Sequence, residues 1–120
     1  MHDLRPLPAL KSKSDFAGVY RNGKAYGSRL LVLYIYESEK GQEAGRLGIS
    51  ISKKVGNSVE RHRLRRLIRE SFRLHLSEWC GTADYVVIAR REAKGKSFWE
   101  IEKALLSLGT RSGAWKEIET

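Results

Sequence analysis

Apolar and polar residues alternate along this chain with two different periods, and each period predicts an element. In SKSDFAGVYRNG, Phe16, Val19 and Tyr20 recur at the spacing of one helical face. Ser12 or Ser14 can cap that helix, Asp15 suits its first turn, and Asn22-Gly23 supplies a left-handed stop. The next stretch, Ser28 to Glu37 (SRLLVLYIYE), is branched and aromatic and reads as a strand. Its alternation sets Leu30, Val32, Tyr34 and Tyr36 on one face and Leu31, Leu33 and Ile35 on the other. SEKGQEAG then reads as a polar hairpin loop, and Arg46 to Ser52 as the returning strand.

The helical period resumes after Asn57. Asn57 and Glu60 have capping-box spacing, and a helix from about Ser58 to Leu76 follows. A third strand, Asp84 to Arg90, is so apolar in its middle that it belongs at the centre of the sheet. Ser97 and Glu100 form a second capping box, opening a last helix striped by Ile101, Leu105 and Leu108 and ended by Gly109. Residues 1–11, with Pro6 and Pro8, read as an extended arm, and 110–120 as a weakly specified tail. Nothing resembling a linker or repeat divides the chain, so residues 1–120 form a single domain. The order α-β-β-α-β-α predicts the α+β class: a two-layer α/β sandwich, a sheet with helices against it.

Charge changes this picture. The formal net charge is +9, with a pI near 9.9. Ser52 to Arg73 alone holds eight Lys or Arg against two Glu. At about 100° per residue, Arg65, Arg69, His62, Arg73, Arg66 and Arg63 spread over roughly 40–200° from Arg61. Leu64, Leu67, Ile68 and Phe72 fill the opposite arc. One stripe packs on the sheet while the other presents guanidiniums. A solvated charged face would carry interspersed acids at i,i+4, yet Glu60 and Glu70 are the only acids there. Arginine's planar fork suits bidentate phosphate contact. Lys53, Lys54 and Gly56 form a tight basic turn leading into the helix N-terminus, whose amides attract anions, and Gly56 reads as a residue in a special backbone conformation.

This charge points to a nucleic-acid backbone. A membrane-surface helix would need its apolar stripe for lipid, and here the core uses it. A helix-turn-helix DNA reader would need more helix and less strand. RNA fits best, with Phe16, Tyr20 and Tyr34 as platforms for unpaired bases or, equally, as ordinary core aromatics. No apolar run approaches the roughly 18 residues of a membrane span, and MHDLRPLPALK lacks a signal-peptide pattern. The lone Cys80 reads as a half-buried thiol beside Trp79 in a reducing compartment. The expected location is cytoplasmic. The acids are scattered, and His2, His62 and His75 have no ligand-like spacing, so no autonomous active site is expected.

GISISKKVGNSVERHRLRRLIRESFR resembles the signature of the bacterial ribonuclease P protein subunit, K-K-x-G-N-A-V-x-R-N-R-x-K-R-x-x-R-E. KSKSDFAGVYRNGKAYGSRLLVLYIY and DYVVIAR resemble that family's opening and last strand, so the likeness spans residues 7–108. It implies a sandwich of the kind also found in ribosomal proteins, with a left-handed βαβ crossover through the arginine helix, where general handedness rules predict the opposite. It further implies a monomeric subunit, one per catalytic RNA, that helps remove the 5′ leader of precursor tRNA, with Mg²⁺ held mainly by the RNA and no DNA or membrane partner.

By position, the resemblance assigns Lys53, Lys54, Asn57, Arg61, His62, Arg63, Arg65, Arg66 and Arg69 to the catalytic RNA. It assigns Phe16, Tyr20, Val32 and Tyr34 to a leader cleft. His62 stands where the motif has Asn, and Ser58 where it has Ala; a contact that needs a carboxamide is lost, while a hydrogen-bonding ring remains. The alternative is a non-enzymatic RNA-binding protein of the ribosome or of RNA assembly, which the basic helix would serve equally well.

Overall fold

The computed structural model describes residues 9–37, 46–76, 79 and 83–113. Helix α1 (Lys13–Asn22) is followed by strands β1 (Lys24–Gly27), β2 (Leu31–Glu37) and β3 (Arg46–Ile51), helix α2 (Ser58–Leu74), strand β4 (Ala83–Ala89) and helix α3 (Phe98–Ser112). The strands form one sheet in the order β1-β2-β4-β3. β1 and β2 are antiparallel, β2 and β4 are antiparallel, and β3 and β4 are parallel. The link from β3 through α2 to β4 is therefore a crossover.

The expected hairpin between β2 and β3 does not exist. β4 lies between them, and the loop of residues 38–45 falls outside the described residues. The hairpin is β1–β2, turned at residues 28–30, where the Ser28 N–H donates to the Leu31 carbonyl at 2.8 Å. Leu30 sits in that turn and packs with the main core rather than on the Val32 face. β1 itself, KAYG, was not anticipated; at four residues it is too short to show a period.

β4 is central because every residue but Ile88 is buried. Its register with both neighbours divides the sheet into two faces. Leu31, Leu33, Leu47, Ile49, Tyr85 and Val87 meet Leu64, Ile68 and Phe72 of α2 and Ile101, Leu105 and Leu108 of α3 in the main core. The other face carries three cross-strand rows: Val32–Ile88–Ser50, Tyr34–Val86–Gly48 and Tyr36–Asp84–Arg46. α1 packs there through the fully buried Val19, against Val86 and Leu10. The sandwich of sheet against α2 and α3 thus gains α1 on its second face.

All three helices open with a capping box: Ser12 with Asp15, Asn57 with Glu60, and Ser97 with Glu100. Their ends differ from expectation. Gly23 is extended, not left-handed, and runs straight into β1. It must be glycine because a β-carbon would lie 2.6 Å from the Val19 carbonyl oxygen and 2.7 Å from that of Ile35. α3 continues through the buried Gly109 and stops at Gly113, which is left-handed at φ 77°. Gly56 lacks a positive φ; it leaves room for the Glu60 carboxylate. Of the arm, Ala9 bridges to Leu47 and the Leu10 N–H donates to the Leu47 carbonyl at 3.1 Å. Residues 1–8, Cys80 and the tail from 114 lie outside the described residues, whereas 110–112 belong to α3.

Candidate nucleic-acid interface

α2 turns its apolar stripe inward as its period requires: Leu64, Ile68, Ser71 and Phe72 are buried. His62, Arg63, Arg66 and Arg69 are exposed, and Arg61, Arg65 and Arg73 are half-buried. The half-buried arginines are partly occupied by the fold. Arg65 Nη1 donates to the Ile49 carbonyl at 2.9 Å, satisfying an acceptor on the outer edge of β3. Arg61 keeps a buried Nε without a hydrogen-bond partner. Arg63 reaches the other way, donating from Nη1 to the Lys96 carbonyl at 3.2 Å.

Lys53 and Lys54 are exposed in the turn before α2. Asn57 is used by the helix itself. Its Oδ1 accepts from the Glu60 N–H at 2.8 Å, and its own N–H donates to Glu60 Oε1 at 2.9 Å. The Asn57 amide therefore holds its anion internally, and that hydrogen bond keeps the Glu60 carboxyl below its ordinary pKa, with help from Lys94. The anion site expected at this helix end is partly filled by the chain's own carboxylate.

On the opposite face of the sheet, α1 and β2 bring three of the four proposed cleft residues, the aromatics, together, with Val32 on the same face of β2. Phe16 and Tyr20 have ring centroids 6.4 Å apart, and Tyr20 meets Tyr34 edge-on at 5.0 Å. Val32 is half-buried, two residues before Tyr34 on the same face. Sequence reasoning missed the rest of this surface. Ile88 and Ser50 continue the Val32 row across the sheet, both half-buried. An open groove of about 400 Å³ runs along α1 between Lys11, Lys13, Tyr20 and Ser50. Ile88 was readable as strand, but its face depends on a register that sequence alone does not specify.

One ion-pair cluster anchors α1 to the sheet. Arg46 donates from Nε to Asp84 Oδ1 at 3.0 Å and from Nη2 to Oδ2 at 2.8 Å, while its Nη1 lies 3.5 Å from Asp15 of α1. Asp84 is buried. The bond to Asp84 raises the Arg46 pKa further, and the Ser12 amide, with Arg46 behind it, lowers that of Asp15.

The arginine face and the aromatic cleft meet at the edge of β3. A recess of about 100 Å³ is lined jointly by Phe16, Gly48, Ile49, Arg65 and Arg69. One aromatic ring and two guanidiniums converging on one recess suit a nucleotide, base on ring and phosphate on cation. Among the described residues, no group of three or more His, Cys, Asp or Glu could hold a metal ion. No described helix is long and apolar enough to cross a membrane.

Comparison with known proteins agrees with this geometry. The family model described as Ribonuclease P matches residues 4–113. The ribonuclease P protein component of Lachnoclostridium phytofermentans is 49% identical over 100 residues, covering 83% of this chain and 84% of that protein. Its counterpart in Clostridium novyi is 43% identical over 106 residues, covering 88% and 94%. The structure of the Staphylococcus aureus RNase P protein superposes with a TM-score of 0.83 at 32% identity, covering 92% of this chain and all of that one. That of Thermotoga maritima gives 0.77 at 28% identity, covering 93% and 98%. With the matched residues running from the arm through β4 to the end of α3, the chain belongs to the ribonuclease P protein family.

Proposed function

We propose that this chain is the protein subunit of ribonuclease P, binding the catalytic RNA through α2 and the 5′ leader of precursor tRNA through the α1 cleft. The observation that carries this reading is the shared recess at the β3 edge, where Phe16 of the cleft and Arg65 and Arg69 of the arginine face line one space. A leader strand leaving the cleft past Phe16 would arrive beside phosphates held by α2. The protein's contribution is then electrostatic and positional. Cations neutralise backbone charge, and the cleft adds affinity for RNA that still carries its leader.

Lys53, Lys54, Arg61, His62, Arg63, Arg65, Arg66 and Arg69 are the side chains proposed for the catalytic RNA, with Asn57 acting chiefly through the helix it caps. Phe16, Tyr20, Val32 and Tyr34 are proposed for the leader, joined by Ser50 and Ile88. Among the described residues, Asp84 and Asp15 both serve Arg46, leaving neither free for a Mg²⁺ ion, which favours carboxylate oxygens. Mg²⁺ in the holoenzyme is accordingly proposed to be held by RNA. We further propose one copy of the chain per RNA, acting in the cytoplasm. The relatives make this reading preferable to a ribosomal or assembly role.

The test is cleavage of a precursor tRNA by a bacterial ribonuclease P RNA at low Mg²⁺, with and without this protein. Strong stimulation with a correct mature 5′ end is the expected result. Tight RNA binding without stimulation would leave only a basic RNA-binding surface.

A further inference from the structure

Trp99, at the start of α3, stands 72% exposed. The core does not require it, since the buried stripe of α3 is Ile101, Leu105 and Leu108. Nor is its ring loose. Phe98, half-buried, meets it edge-on with centroids 5.2 Å apart and planes at 79°, a favoured aromatic geometry that braces the indole. An exposed indole held in this way offers a flat aromatic face to an occupant.

The charges around it say what that occupant is. The nearby acids already have partners within the chain. Glu100 accepts from the Ser97 N–H at 2.9 Å, Glu60 caps α2 and pairs with Lys94 at 3.5 Å, and Glu102 binds His75 at 3.1 Å. Two cations flank it in sequence: Lys103, one helical turn after Trp99, is exposed, and Lys96, just before the Ser97 cap, is half-buried. Arg63, hydrogen-bonded to the Lys96 carbonyl, ties this patch to the outer face of α2. A second copy of this chain would bring its own +9 charge against these cations. A nucleic-acid backbone would be drawn to them.

We propose that Trp99 is a stacking platform for an unpaired base of the catalytic RNA, at the far end of a binding face that runs from Arg66 past Arg63 to Lys96 and Lys103. The inference rests on the ribonuclease P reading and extends its RNA face from α2 onto α3. Stacking on an indole tolerates any base, so the site contributes affinity rather than sequence choice.

The test measures affinity of the full chain for a bacterial ribonuclease P RNA at several salt concentrations, for Trp99→Ala, Trp99→Phe and Arg66→Ala. Trp99→Ala should bind roughly 10-fold more weakly with an unchanged salt slope, because stacking releases no counterions. Trp99→Phe should recover most of that loss, and a thermal melt matching the parent protein would show the fold intact. Arg66→Ala should weaken binding and flatten the slope. Weakening by Arg66→Ala with no effect of Trp99→Ala overturns the platform alone. No effect of either overturns the platform and counts against the RNA reading of α2. Loss of self-association in Trp99→Ala, with RNA affinity unchanged, would make the occupant a second copy and likewise overturn the proposal.

Discussion

The ring of Phe16 lies so close over Gly48 that a β-carbon at position 48 would fall 2.6 Å from Phe16 Cζ and 2.7 Å from Cε1. Gly48 sits in the Tyr34–Val86–Gly48 row, so the absent side chain is what lets Phe16 reach the recess beside Arg65 and Arg69. Gly48→Ala should therefore push the ring outward, at an overpacking cost of about 1–3 kcal/mol. Affinity of the holoenzyme for leader-bearing precursor should fall while that for mature tRNA holds. Equal loss on both RNAs would show that the ring serves the fold and not the cleft.

The Arg46–Asp84 pair joins β3 to β4 at the end of the sheet over which α1 begins. Asp84 has a side chain only 5% exposed, so deleting its partner strands a buried carboxylate. Arg46→Ala should cost roughly 3 kcal/mol, toward the low end for such deletions because the arginine itself is 30% exposed. Asp84→Ala added to it should recover part of the loss, which a double-mutant cycle by chemical denaturation would read. Additive losses would mean that the two groups are not coupled. Since Arg46 also faces Asp15 of α1, the single variant should lose preference for the leader as well.

The contrast between these two sites shows what a sequence can carry. Caps, arginine stripe and aromatic stripe are local patterns, and Ser12, Asn57 and Ser97 all cap as their spacing predicts. Strand pairing is not local. A central β4 and a β2–β3 hairpin cannot both hold in a three-stranded sheet. The fold keeps β4 central by placing it between β2 and β3, and β1 takes the free edge of β2 as its hairpin partner. Arg46 and Asp84 lie 38 residues apart, each reading as a polar strand end, and only the parallel register brings them opposite each other. Trp99 has no periodic signal of its own in the sequence; its exposure follows from which side of α3 the core takes.

The three capping acids make stability depend on pH with a definite sign. Asp15, Glu60 and Glu100 all have folded pKa values below their ordinary ones, each chiefly through the backbone amide of its cap residue. A lowered folded value means that the unfolded chain binds protons more readily, so stability rises with pH through this range. The contribution is complete above the ordinary values, 3.8 for the aspartate and 4.5 for the glutamates, and fades as pH falls through the lower folded values. Thermal melts from pH 6 to pH 3 should show the midpoint falling. Glu60→Gln should start lower at pH 6 and fall less steeply, and a parallel fall would remove Glu60 from the account.

Arg65 and Arg69 line the same recess but should behave differently when removed. Arg69 is exposed, and no hydrogen bond or ion pair fixes it among the described residues. Arg69→Ala should flatten the dependence of log affinity on log salt by about 0.7–0.9, the share of one phosphate contact, with the melting temperature unchanged. Arg65→Ala also abandons the Ile49 carbonyl on the β3 edge, so it should flatten the slope and destabilise the fold by about 1 kcal/mol. The pair separates the two duties of the arginine helix. A salt slope that moves for Arg65 and not for Arg69 would mean that the RNA backbone follows the β3 edge and leaves the outer face of α2 to solvent.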